Sequence, residues 1–226
     1  MAITFTWLGH GTSQLVIGGH TILVDPFLTD NPTAAAKPED VNPEFILVSH
    51  GHFDHVADLI PIARRTGAQV IANNEIAVWA SGQGLKAHGQ HIGGGHAWLF
   101  GYVKLTQALH GSALPDGSNG GNPAGFLITA EGKRVYLACD TGLFGDMALI
   151  GEEGIDLAVL PIGDNFTMGP ADALRAVKLI QPRHVIPVHY NTFDLLKQDV
   201  SAWKAQVEAA TTAQVHVLLP GESFTL

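Results

Sequence analysis

Three histidines and one aspartate fall within six residues, His50-Gly51-His52-Phe53-Asp54-His55, directly after the nearly all-apolar run 45–49. A short apolar run of that kind reads as a buried strand, so the cluster is delivered at a strand end. Imidazole and carboxylate are the usual ligands of zinc and similar divalent ions. In an extended segment residues i and i+2 point the same way, so His50 and His52 can grip one ion. Asp54 and His55 open the next helix and can face a second. Three further residues share this context. His110 ends the run 103–109, Asp140 ends 134–139 and His189 ends 185–188, and each is followed by a turn. Strand ends on one edge of a sheet can converge on a single cleft.

The rest of the chain alternates in kind. Runs 3–8, 13–17, 21–25, 69–72, 124–129, 157–160 and 214–219 read as strands, and 56–65, 74–81, 171–180 and 193–209 as helices. Segments 26–44, 82–96 and 115–123, rich in Pro or Gly, read as loops and as the expected substrate-selective walls. No linker or internal repeat divides the chain. The mixture predicts α/β sheets covered by helices in one domain, 1–226.

The composition excludes several classes. Twelve Lys+Arg against 21 Asp+Glu leave a net charge of −9, which repels phosphate backbones, so no nucleic-acid partner is expected. No run approaches the ~18–20 apolar residues of a membrane span, and the N-terminus lacks a signal-peptide pattern. A cytoplasmic protein with no membrane partner is expected. The single cysteine, Cys139, cannot form an internal disulfide or a thiolate zinc cluster. Strand alternation sends it away from Asp140, into the core. Of the other histidines, His20, His184 and His216 read as ordinary, and His88, His91 and His96 as surface residues, with a third metal site in that glycine-rich stretch as the alternative.

His50-x-His52-x-Asp54-His55, followed by His110, Asp140 and His189, resembles the metallo-β-lactamase superfamily over essentially the whole chain. That resemblance implies an αββα sandwich, two mixed sheets flanked by helices, with a dinuclear site of two divalent metal ions. By motif position His50, His52 and His110 would hold one ion. Asp54, His55 and His189 would hold the other, with Asp140 bridging. Zn is the first expectation, and N/O ligands also suit Mn, Fe or Ni. The segments TWLGHGTS, LVDPF and PIGDNFTMGP look like a narrower branch of small metal-dependent hydrolases, similar to L-ascorbate-6-phosphate lactonases. His52 stands where the oxygen-reducing diiron relatives carry Glu, which favours hydrolysis. The domain that nuclease relatives insert is absent.

Such a site lowers the pKa of water so that hydroxide exists near neutral pH. The expected reaction is hydrolysis of a small ester, lactone or phosphoester, with Asp54 accepting a proton from the water. The two cations, two carboxylates and hydroxide leave a small positive charge, suited to an anionic small-molecule substrate. Rival readings are a phosphodiesterase acting on a nucleotide or phospholipid headgroup, and a non-catalytic metal-bound sensing protein. His10 can contact substrate or sit in a turn. Asn165 can contact substrate or shape its own turn. Asp25 can orient a ligand imidazole or anchor a loop. Small members of the family often associate, so a homo-oligomer is expected.

Overall fold

The computed structural model describes residues 2–226. Its strands form two seven-stranded sheets. The first contains β1 (Ile3–Gly9), β2 (Thr12–Ile17), β3 (His20–Val24), β4 (Phe45–Val48), β5 (Gln69–Asn73) and β6 (Ala87–Gln90) in sequence order. The second contains β7 (Gly95–Trp98), β8 (Gly101–Gln107), β9 (Ala124–Ala130), β10 (Lys133–Leu137), β11 (Leu157–Pro161), β12 (His184–Val188) and β13 (Gln214–Val215). The chain then returns, and β14 (Ser223–Thr225) pairs antiparallel with β1. Both sheets are mixed: β3 to β6 run parallel, as do β10 to β13, and the other neighbours are antiparallel.

Side-chain alternation builds the layers. Ile22, Val24, Leu47 and Ile71 share one core with Val103, Phe126, Val135 and Val159 of the other sheet. Their strand neighbours Leu23, Ile46, Val48 and Val70 point outward and pack on Leu59 and Ile62 of α2 (Leu59–Thr66) and Ile76 of α3 (Asn74–Gly82). On the far side α4 (Met147–Glu152), α5 (Pro170–Ile180) and α6 (Val200–Ala210) bury Met147, Ala173, Val177 and Trp203. The result is the expected αββα sandwich.

Several boundaries differ from the sequence expectation. The helix over 56–65 is two helices, α1 (Phe53–Val56) and α2. The span 193–209 divides into a 3₁₀ turn, Asp194–Leu196, and α6. The segment 82–96 is not wholly irregular, since it supplies the edge strand β6 and the start of the exposed edge strand β7. The last expected strand shortens to Gln214–Val215, and β14 and α4 are additional. None of the described helices is long and apolar enough to cross a membrane.

Candidate metal centre

The carboxyl ends of β1, β3, β4, β8, β10 and β12 meet at one rim of the sandwich. His10, Asp25, His50, His110, Asp140 and His189 follow these strands in turn. Backbone geometry marks the same rim. His10, Asp25, Cys139 and His189 have φ of 53°, 47°, 52° and 57°. A non-glycine residue in this left-handed region costs roughly 1–3 kcal/mol and persists where the surroundings impose it, often at a functional site. The loops are tied together. The Leu109 amide donates to Thr141 Oγ1 at 2.9 Å. The Gly142 amide donates to the Leu109 carbonyl at 3.0 Å, and the His189 amide to the His10 carbonyl at 3.1 Å.

All seven residues of the expected ligand set converge. His50, His52 and His110 offer ligand atoms within 4.8 Å of one another, and so do Asp54, His55 and His189 together with His10. Asp140 stands between the two groups. Its Oδ2 lies 3.6 Å from His110 Nε2, 3.4 Å from His55 Nε2 and 3.0 Å from His189 Nε2.

Hydrogen bonds behind the cluster assign the tautomers. An ionised carboxylate only accepts, so Asp25 Oδ2 accepts from both Ser49 Oγ (2.6 Å) and His55 Nδ1 (2.9 Å). Having donated its hydroxyl proton to Asp25, Ser49 Oγ must accept from His50 Nδ1, 2.9 Å away. One carboxylate thus turns Nε2 of both His50 and His55 toward the centre. Buried His189 Nδ1 has no hydrogen-bond partner, and the Nε2 atoms of His55 and His189 meet the Asp140 carboxylate as close charged contacts without good hydrogen-bond geometry. Leaving such atoms unpaired is costly, and a divalent cation is the partner that this donor set suits. The residues present therefore fit the metal that the motif implies.

Charge is tuned by the same geometry. Burial pushes His50 well below the ordinary imidazole value, and neighbouring His55 adds to the shift. His110 and His52 are also lowered, chiefly by burial. Burial alone would raise the Asp140 carboxyl, but His189 and His55 outweigh it and hold it well below the usual range. Burial opposes Asp54 ionisation in the same way, and the hydrogen bond from His10 together with the nearby His55 outweighs it and holds the carboxyl below its usual range. For His55 burial is outweighed by Asp140 and Asp25, which raise it well above its ordinary value.

His10 is not exposed at the cavity mouth. It is fully buried, with Nε2 3.1 Å from Asp54 Oδ2 and Nδ1 2.9 Å from Thr192 Oγ1. Burial, reinforced by His189, brings its pKa down to about 4. The ring is therefore neutral at physiological pH. It donates from Nε2 to Asp54 and accepts from Thr192, so it lies behind the Asp54 carboxylate as well as lining the cavity. Asn165 is exposed and does not line the cavity, whereas the adjacent Phe166 does. Cys139 packs against the core, with burial pushing its thiol well up. Tyr190 stacks on Trp7, ring centroids 5.3 Å apart.

Above the cluster opens a cavity of about 560 Å³, within the range of small-molecule sites. Its walls differ from the expected ones. Segments 26–44 and 82–96 take no part, and 115–123 contributes only Pro115. The walls come instead from Phe53, Leu114, Phe166 and the 193–196 turn. Sequence reasoning missed these residues, and also Ser49 and Thr192. The signals available were adjacency to His50 for Ser49, to Asn165 for Phe166, and to the His189 turn for Thr192.

The family model for the Beta-lactamase superfamily domain matches residues 20–190, which includes every candidate ligand position. The chain belongs to the metallo-β-lactamase superfamily. Among the superfamily members similar to it is a UPF0173 metal-dependent hydrolase from Pelotomaculum thermopropionicum, 50% identical over 226 residues, covering 98% of this chain and 99% of that protein. Another, from Desulforamulus reducens, is 52% identical over 226 residues, covering 96% and 97%. The structure of Igni18, a metallo hydrolase from the archaeon Ignicoccus hospitalis, superposes with a TM-score of 0.93 at 37% identity, covering 100% of this chain and 99% of that one.

Proposed function

We propose that the protein is a metal-dependent hydrolase that holds two divalent cations, zinc first, and uses water to cleave a small ester, lactone or phosphoester. The observation that carries this is the place of Asp140 Oδ2, within 3.6 Å of imidazoles from three separate segments. His50, His52 and His110 would hold one cation and Asp54, His55 and His189 the second, with Asp140 available to both. Cations held there would lower the pKa of water and supply positive charge to stabilise a developing oxyanion. His10 fixes Asp54 through Nε2, and Thr192 fixes His10. Asp54 lines the cavity and is ionised, so it is placed to take the proton of the attacking water. The curated relatives named metal-dependent hydrolases support the reaction class.

Elemental analysis followed by turnover of Asp54→Asn tests the reading. The expected result is two cations per chain in the parent protein and a kcat at least about 100-fold lower in the loaded variant. Full turnover by the loaded variant removes Asp54 from the proton transfer. A parent chain that takes up no divalent cation overturns the whole proposal.

A further inference from the structure

We propose that the substrate of this site is an uncharged ester or lactone with a hydrocarbon or aromatic side, not a phosphate-bearing compound. The inference rests on the hydrolytic reading above. Beyond the metal-ligand cluster the cavity walls are apolar, and no Lys or Arg lines them. Side chains that recognise phosphate or carboxylate are characteristically Arg or Lys, and none faces this space. What faces it is exposed hydrocarbon: Phe53 is 61% exposed, Phe166 53% and Leu195 65%. Large apolar side chains gathered around a concave site mark a surface built to be covered.

These groups are held in place. Phe53 lies between ligands His52 and Asp54 and meets Phe27 edge-on at 5.8 Å. Phe193 meets the buried His10 ring edge-on at 5.5 Å. Gln198 links the two wall loops, donating from Nε2 to the Gly163 carbonyl at 2.9 Å and from its amide to Asn191 Oδ1 at 2.7 Å. The polar floor therefore meets the scissile group while the walls take up the hydrocarbon. Water oxygen bonds to the carbonyl carbon and the acyl C–O bond breaks. The water proton ends on the departing alkoxide, giving an acid and an alcohol with no other reactant.

The test pairs turnover with binding. Metal-loaded protein is assayed on p-nitrophenyl acetate, butyrate, hexanoate and octanoate and on bis-p-nitrophenyl phosphate. Calorimetric binding of 2-butanone, 2-hexanone and 2-octanone is measured on the metal-free protein. Expected is a kcat/KM that rises about fourfold per methylene, a parallel rise in ketone affinity, and weaker turnover of the phosphodiester. Leu195→Ser and Phe166→Ser flatten both series. Flat series, or preference for the phosphodiester, overturn the inference. So does a rim shown by sedimentation to be buried between copies of the chain and freed by Phe53→Ser. Ketone affinity that rises with length while no ester turns over sustains the apolar rim and overturns the hydrolytic reading instead.

Discussion

A single buried carboxylate, Asp25, governs the ligand character of two histidines. It accepts from His55 directly and, through Ser49, sets the proton on His50. Asn in its place offers one acceptor oxygen for Ser49 Oγ, the Ser49 amide and His55 together. Asp25→Asn is therefore expected to lower affinity for divalent cation about 10–100-fold, measured by competition with a chromophoric chelator. Ser49→Ala breaks only the arm to His50, so it should weaken uptake less. Equal affinity in parent and Asp25→Asn protein would show that the orientation is imposed by packing alone. The residues that converge were legible because each carries ligand chemistry and follows an apolar run. Asp25 was legible as one of two alternatives. Ser49 and Thr192 were not, because adjacency to His50 and to the His189 turn was their only sequence signal, and which atom a hydroxyl bonds is decided by what the fold brings near it. Asn165 was legible only as two alternatives, substrate contact or turn shaping. It sits at φ 48° in an exposed turn beside Asp164 at φ 64°, so its role is local while the neighbouring Phe166 reaches the cavity.

At the level of elements, the strands were read best, since apolar runs bounded by Gly or Pro leave few alternatives. The helices were blurred where one residue decides continuity. A helix running unbroken from Phe53 would need the amide of residue 61 to bond the Ala57 carbonyl, and Pro61 has no N–H. The chain restarts at Leu59, which puts Pro61 in a first turn, where proline is tolerated. Likewise Asp199 accepts from the Ala202 amide at 2.9 Å and begins α6 late. The break after Val56 isolates the single turn that carries Asp54 and His55, and Asp58 secures it. The Asp58 carboxylate accepts from the Leu28 amide at 2.6 Å, the Thr29 amide at 2.9 Å and Thr29 Oγ1 at 2.6 Å. Asp58→Ala strands these donors and should cost about 3 kcal/mol, or about 6–12 °C in Tm for a chain of this size. Thermal unfolding measures it, and an unchanged Tm would mean that water replaces the carboxylate. The edge strands β6 and β7 escaped the sequence reading because their Gly and His residues have little strand preference. Their register is supplied by β5 and β8.

Across the whole molecule, the candidate ligands are divided between the sheets. His50, His52, Asp54 and His55 follow β4 of the first sheet, and His110, Asp140 and His189 follow strands of the second. A cation bound by both groups cross-links the sandwich at its rim, so loading should raise global stability. At free metal 100-fold above Kd, each site adds about 2.7 kcal/mol, and two sites should raise Tm by about 10–20 °C. Chelation followed by calorimetry checks this. The gain depends on pH with a fixed sign. Cation binding requires neutral imidazoles, whereas unfolded histidines protonate near about pH 6.5. The loaded fold thus binds fewer protons than the unfolded chain, and its advantage grows as pH rises through that range. His50, lowered by burial even without metal, adds stability in the same direction, present above about pH 6.5 and lost as pH falls. His55, held high by Asp140 and Asp25, acts oppositely in the metal-free protein, since its proton stabilises the fold at low pH. Metal displaces that proton. The difference in Tm between loaded and chelated protein should therefore shrink steadily from about pH 8 to about pH 5. A difference that does not change with pH would mean that the histidines are not the ligands.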